Sequence, residues 1–169
     1  MTTGIKVNRV EVWVTNKTAT TSNTRSVVAL TDLGENAQIS NPLWGAGALP
    51  VPANNANGEY AAMTTQYAAA RDIDQTSTVL DGISGFAGGR DYEKLQNARL
   101  LNSSEYTINS ALGYISLKSG LETDQVLAVA YEYTYGGQTY QVGEFAQDVT
   151  DVSQALFVKA LKNLSLIHI

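Results

Sequence analysis

The sequence contains no cysteine at all and a single histidine, His168. The first absence removes disulfides, thiol nucleophiles and thiolate metal sites together, and leaves the redox compartment undetermined. Charged residues make up only 16%, well below the usual quarter. The eleven Lys and Arg are scattered and the net charge is −5, so the clustered cations that binding phosphates requires are missing, and no nucleic-acid partner is expected. No apolar run reaches the eighteen or so residues of a membrane helix. The start, MTTGIKVNRV, carries no basic-then-apolar export signal, so any such signal is expected outside these residues.

What is present is ordinary apolar content, 44%, on a surface that must be built from Thr, Ser, Asn, Gln and Gly. A length of 169 residues suffices for one domain with a proper core or for two small ones, and length alone does not choose. Ile5 to Val14 reads as a strand, with Val10, Val12 and Val14 alternating with Glu11 and Trp13. The polar run NKTATTSNT breaks it before a second apolar strand over 26–33, which suggests that these two strands pair antiparallel. Residues 36–58 hold all three prolines, Pro42, Pro50 and Pro52, and read as an extended connection pinned by Trp44.

Helix is expected next. Asn57 can cap a segment in which Tyr60, Met63, Tyr67 and Ala70 recur on one face, and a short second helix is expected over 77–81, stopped by Gly82. The glycine-rich GISGFAGG follows, then DYEKL, read as a helical turn. EYTINSALGYISL suggests two short strands around a turn. The clearest signal is the hairpin 125–135 and 138–145, joined by Gly136 and Gly137, whose positive φ suits a type I′ turn. A two-residue loop sets Tyr135 opposite Gln138, Tyr133 opposite Tyr140 and Tyr131 opposite Val142. The aromatic rings then share one buried face, and Glu132, Thr134, Thr139 and Gln141 a wet one. The fold expected is α+β, mainly antiparallel β with one or two short helices.

Candidate chemistry is thin. DIDQT, with Asp72, Asp74 and Thr76, begins like a calcium loop, but Ser77 stands where Gly is needed and Ile83 where a carboxylate is needed. Gly82, Gly85, Gly88 and Gly89 lack phosphate-loop spacing, and Ser84 lies one residue short of a nucleophile elbow. Glu132, Glu144, Asp148 and Asp151 could supply the two carboxyls of a glycosidase, yet acidic residues on a wet hairpin face are usually solvated. Tyr131, Tyr133 and Tyr140 read as a core face before a sugar-stacking platform. Asn16-Lys17-Thr18 and Asn102-Ser103-Ser104 match the glycosylation triplet. No catalytic, cofactor-binding or metal residue is assigned, and no enzyme activity, cofactor or small-molecule substrate is expected.

The blocks VEVWVTNKT, NTRSVVALTDLGE, DYEKLQNARLLNSSEYT, LGYISL and VLAVAYEYTYGGQTYQVGEF, in this order, resemble a segment of the SprA/Sov family. Members of that family are outer-membrane translocons of the type IX secretion system, which gliding Gram-negative bacteria use for protein secretion and motility. The similarity spans roughly residues 3 to 163. It implies a fragment of a much larger single-chain β-barrel protein, here one soluble insertion domain outside the pore. It further implies an outer-membrane location, the extracellular face favoured over the periplasmic, with secretion-system components and cargo proteins as partners. Contact with membrane would then run only through parts of the protein outside this sequence. The alternative is a free-standing cell-surface module, carbohydrate-binding or adhesive, that stacks sugars on tyrosines and on Trp13 or Trp44.

A fragment also accounts for the last six residues, LSLIHI. They are the translation of CTGTCTCTTATACACATC, a transposon end used in preparing sequencing libraries. Residues 1–163 are therefore expected to be one domain and 164–169 adapter read-through, which leaves His168 without a role.

Overall fold

The computed structural model describes residues 4–18, 21–110, 114–161 and 166–168. Among these residues nine strands and two short α-helices follow in chain order: β1 (Lys6–Val14), β2 (Thr24–Leu30), α1 (Glu59–Thr64), α2 (Thr76–Asp81), β3 (Tyr92–Leu100), β4 (Tyr106–Asn109), β5 (Tyr114–Leu117), β6 (Leu127–Tyr135), β7 (Gln138–Val142), β8 (Leu156–Leu161) and β9 (Leu166–His168). Five of the strands close a small barrel in the order β1-β3-β2-β8-β6, with β6 returning to β1. All neighbours are antiparallel except β2 and β8. The fold is α+β, and the strands dominate it.

Strand β6 is long enough to serve two partners on one edge. β1 runs along its whole length on one side, while β8 pairs Leu127 to Val129 and β7 pairs Tyr131 to Tyr135 on the other. The hairpin register is the expected one, with Tyr135 opposite Gln138, Tyr133 opposite Tyr140 and Tyr131 opposite Val142. Gly136 and Gly137 have φ of 60° and 80°, the two left-handed positions of the type I′ turn.

Two bulges bend the wall. Between Val7 and Arg9 strand β1 spends one residue more than β6, and between Leu95 and Ala98 strand β3 spends one more than β2. Asn97, with φ 53°, sits in the second bulge. Such insertions raise local twist and let a narrow sheet close on itself.

Period-two alternation sorts the barrel's side chains. Trp13, Val27, Ala29, Leu95, Ala98, Ala128, Ala130, Leu156 and Val158, from all five strands, form one buried cluster with Phe145, and this is the barrel interior. Small Ala at 29, 98, 128 and 130 makes room for the Trp13 indole, so the interior is filled by side chains. Residues that alternate with these point outward on two sides. Val28, Leu30 and Phe157 meet Trp44, Met63, Leu80 and Phe86 from the connection and helices. Val12, Val14, Leu127, Val129, Tyr131 and Tyr133 meet Ile115 and Leu117 of a second sheet, ordered β4-β5-β9.

Several expectations need correction. β1 and β2 do not pair, because β3 lies between them and pairs with both. DYEKL is the start of strand β3 and not a helical turn. The N-cap of the first helix is Gly58, with no side-chain cap bond, and not Asn57, whose Oδ1 accepts from the Glu59 amide one residue further on. That helix ends at Thr64, because the hydroxyls of Thr64 and Thr65 bond back to the carbonyls of Tyr60 and Ala61 and compete with the helical pattern. Only a separate 3₁₀ turn, Ala68–Arg71, continues it. The second helix runs Thr76–Asp81 up to Gly82, as expected. The hairpin's second face is wet only beyond Ala130, since Ala128 and Ala130 point into the barrel. The turn between β4 and β5, residues 111–113, lies outside the described residues, although the two strands pair as expected. Of the terminal six residues, Leu166–His168 pair through the backbone with β5, His168 opposite Tyr114; residues 164, 165 and 169 lie outside the described residues.

Candidate functional site

The four carboxylates singled out from sequence have separate environments. Glu144 follows Gly143, whose φ of 79° turns the chain inward after β7, and it is 4% exposed. This corrects the expectation of a solvated hairpin acid. Arg71 Nη1 donates to its Oε1 at 2.9 Å and Nη2 to its Oε2 at 2.6 Å. The Tyr60 hydroxyl donates to Oε2 at 2.8 Å and the Phe157 amide to Oε1 at 2.8 Å. The Arg71 guanidinium also lies 4.4 Å over the Phe157 ring and donates to the Ala155 carbonyl. Four donors, two to each oxygen, occupy this carboxylate and tie it to Tyr60, Arg71 and Phe157.

Asp148 Oδ2 accepts from Gln141 Nε2 at 2.9 Å and from the Phe145 amide at 3.0 Å. Asp151 Oδ1 accepts from the Ser153 hydroxyl and amide, and those bonds hold its carboxyl below the usual range. Glu132 is half-buried on β6, opposite Gln141. Glu11 is a fifth acid beside this group. Burial raises its carboxyl, although Oε1 accepts from the Ala146 amide at 2.9 Å. Of these bonds, Phe157 to Glu144 and Ala146 to Glu11 tie the 143–155 segment to barrel strands β8 and β1, while those of Asp148 to Phe145 and of Asp151 to Ser153 hold the segment's own turns. Arg25 completes the arrangement: its guanidinium donates to the carbonyls of Ala146, Val149, Asp151 and Gln154.

The remaining motifs serve turns. Asp72 Oδ1 accepts from the Asp74 amide, and Thr76 Oγ1 donates to the Ala70 carbonyl. Among the described residues no three His, Asp or Glu are grouped so as to hold a metal ion. In the glycine run, Gly85 and Gly89 take φ of 82° and 83° while Ile83 and Phe86 turn into the core. Asp91 is wrapped by this loop and accepts from the Ala87 amide. Ser84 is exposed on it. Asn16 Oδ1 accepts from the Thr18 amide and hydroxyl, and the Asn102 amide donates to Glu105 Oε2.

The tyrosine row is a core face except at the turn, where Tyr135 is 40% exposed. Tyr131 and Tyr133 are 6% and 3% exposed and Tyr140 is half-buried, with ring centroids 5.9 Å apart for the first pair and 5.4 Å for Tyr133 and Tyr140. The Tyr133 hydroxyl donates to the Pro52 carbonyl. Burial pushes the Tyr133 phenol up to about 12 and the Tyr131 phenol higher still. Trp13 and Trp44 are buried too, so the rings that sugar stacking would require are turned inward.

Sequence reasoning missed Asp32, Glu59 and Asp91, three buried acids around the 36–58 connection. No local pattern announces them, because their burial depends on that connection folding back over β2 and β3. No family model matches the chain, and no curated protein matches it. The fold and the polar contacts thus define a closed, side-chain-filled barrel carrying two flanking layers, in which the acids named above serve chain packing.

Proposed function

We propose that the chain is a folded, non-catalytic structural and interaction segment of a type IX outer-membrane translocon, displayed outside the pore on the extracellular side. The observation that carries this reading is where the blocks of resemblance fall. VEVWVTNKT covers most of β1, NTRSVVALTDLGE covers β2, DYEKLQNARLLNSSEYT covers β3, and VLAVAYEYTYGGQTYQVGEF is the whole β6–β7 hairpin. The resemblance therefore describes a self-consistent folding unit and not a scatter of surface words. The filled interior fits the same reading, since a five-stranded barrel packed with Trp13, Phe145 and alanines offers no passage. Transport would belong to the membrane barrel, and this unit would contribute shape and contact surface to cargo and to other secretion components.

The genomic DNA on either side of the coding region tests the assignment. In-frame continuation into alternating segments of about ten residues, the pattern of outer-membrane strands, is the expected result. A complete short gene with its own export signal and stop codon overturns it.

A further inference from the structure

Three carboxyl groups are buried where the 36–58 connection crosses the barrel: Asp32, Glu59 and Asp91. Two are fully engaged. Asp32 accepts from the Ser40 amide at 2.7 Å and the Asn41 amide at 2.9 Å. Asp91 accepts from the Ala87 amide, from Arg90 Nε and from Asn41 Nδ2. Glu59 differs from both, being 0% exposed with neither carboxylate oxygen hydrogen-bonded.

The backbone around Glu59 is clamped. Its amide donates to Asn57 Oδ1 at 2.8 Å, and Asn57 Nδ2 donates to the carbonyls of Asp32 at 2.8 Å and Glu35 at 2.9 Å. The Gly58 amide donates to the Trp44 carbonyl at 3.0 Å. The side chain therefore has no route to water unless the first turn of α1 moves, and Asn57 moves with it. Asn57 is the clip that holds the connection's end to the turn after β2.

The charges facing Glu59 are unfavourable to a second anion. The Asp32 carboxyl approaches from the turn after β2 and that of Asp91 from the turn before β3, and both act against a charge on Glu59. Among the described residues Lys159 on β8 is the one facing cation, and its Nζ is committed to Glu35 Oε1 at 3.0 Å and to the Thr31 carbonyl. Arg90 is turned to the surface against Asp91.

We propose that Glu59 is a proton-controlled latch: in its acid form it lets α1 and residues 36–58 close over the Trp44–Phe86 cluster, and its ionisation unseats them. Burial first, then Asp32 and Asp91, push the carboxyl well above the usual range, with Lys159 opposing them. The folded form then binds a proton that the open form releases. Closure is complete below the ordinary carboxylate pKa and weakens as pH climbs through the raised value. The inference stands on this corner alone and is independent of the translocon reading.

Hydrogen exchange followed by mass spectrometry on the intact chain, corrected for intrinsic amide rates, tests it. Peptides from 36–58 should open more readily as pH rises, by about tenfold per pH unit within the titration window, while β2 and β6 peptides stay protected. Glu59→Gln should flatten that dependence. The same slope in Glu59→Gln, or pH-independent protection in the unaltered chain, overturns the proposal. Should Glu59→Gln fail to fold, NMR of glutamate carboxyl carbons in the unaltered chain gives the answer. The resonance assigned to Glu59, as distinct from that of Glu11, must stay protonated above the ordinary range, and its titrating in the ordinary range overturns the proposal. Protection of 36–58 that rises on adding calcium ions at alkaline pH also overturns it, because the corner would then hold a cation and not a proton.

Discussion

Arg71 grips Glu144 at two points, Nη1 to Oε1 at 2.9 Å and Nη2 to Oε2 at 2.6 Å, although 73 residues separate them in sequence. The pair is nearly enclosed, with side-chain exposures of 15% and 5%. Removing one member leaves a buried charge with no counter-ion, so Arg71→Met or Glu144→Gln should each cost about 3–5 kcal/mol in urea unfolding. The joint replacement Arg71→Met with Glu144→Leu should recover much of that loss. A single change costing under about 1 kcal/mol would show the pair to be incidental.

Glycines at the two ends of β7 should respond differently to alanine. Gly136 has φ of 60° with nothing close to a added Cβ, so Gly136→Ala should cost about 1–2 kcal/mol from the left-handed backbone alone. At Gly143 the φ is 79° and the Cβ would also lie 3.0 Å from the Ala130 Cβ and 3.1 Å from the Val129 carbonyl. Gly143→Ala should therefore unfold at clearly lower denaturant than Gly136→Ala, and the reverse order would contradict the close approach.

The filled barrel predicts intolerance of added volume at its alanines. Ala128→Leu and Ala130→Val should each destabilise by about 1–3 kcal/mol, because both side chains are completely buried among Trp13, Leu156 and Val158. Val152, 76% exposed, should accept Ala within about 0.5 kcal/mol. Tolerance at 128 and 130 would mean that the interior has free space.

Alkaline titration reads the tyrosine face. Tyr133, pushed by burial to about 12, should remain protonated past the ordinary phenol value of about 10. The folded chain then binds a proton that the unfolded chain has released, so stability falls as pH rises from about 10 through 12. Tyrosinate absorbance should show a delayed step that shrinks by one phenol in each of Tyr133→Phe and Tyr131→Phe, while Tyr60, raised by burial and by Glu144, still titrates late. All nine tyrosines titrating together near the ordinary value would contradict burial.

What was legible in the sequence follows from how local each feature is. The β6–β7 register could be read because two glycines fix a two-residue loop, and a fixed loop fixes every pair along the hairpin. Strand β3 was misread for an equally physical reason. Tyr92, Leu95 and Ala98 are buried at steps of three, which imitates a helix. In the structure Tyr92 faces outward toward Phe86, Leu95 faces inward, and the bulge at Gln96 and Asn97 returns Ala98 to the inside. The insertion of β3 between β1 and β2, and the meeting of Arg71 with Glu144, depend on contacts between distant segments that no window of sequence contains. Glu59 is the extreme case, since nothing in NGEYAAM distinguishes a buried acid from an ordinary first-turn glutamate.

Deletion of the corresponding segment from a type IX translocon in a gliding bacterium tests the proposed role, with cargo appearance in the medium and outer-membrane insertion of the barrel measured together. The barrel should still insert while cargo secretion and gliding are lost. Undiminished secretion and gliding by the deleted protein would contradict a role for this unit in the machine.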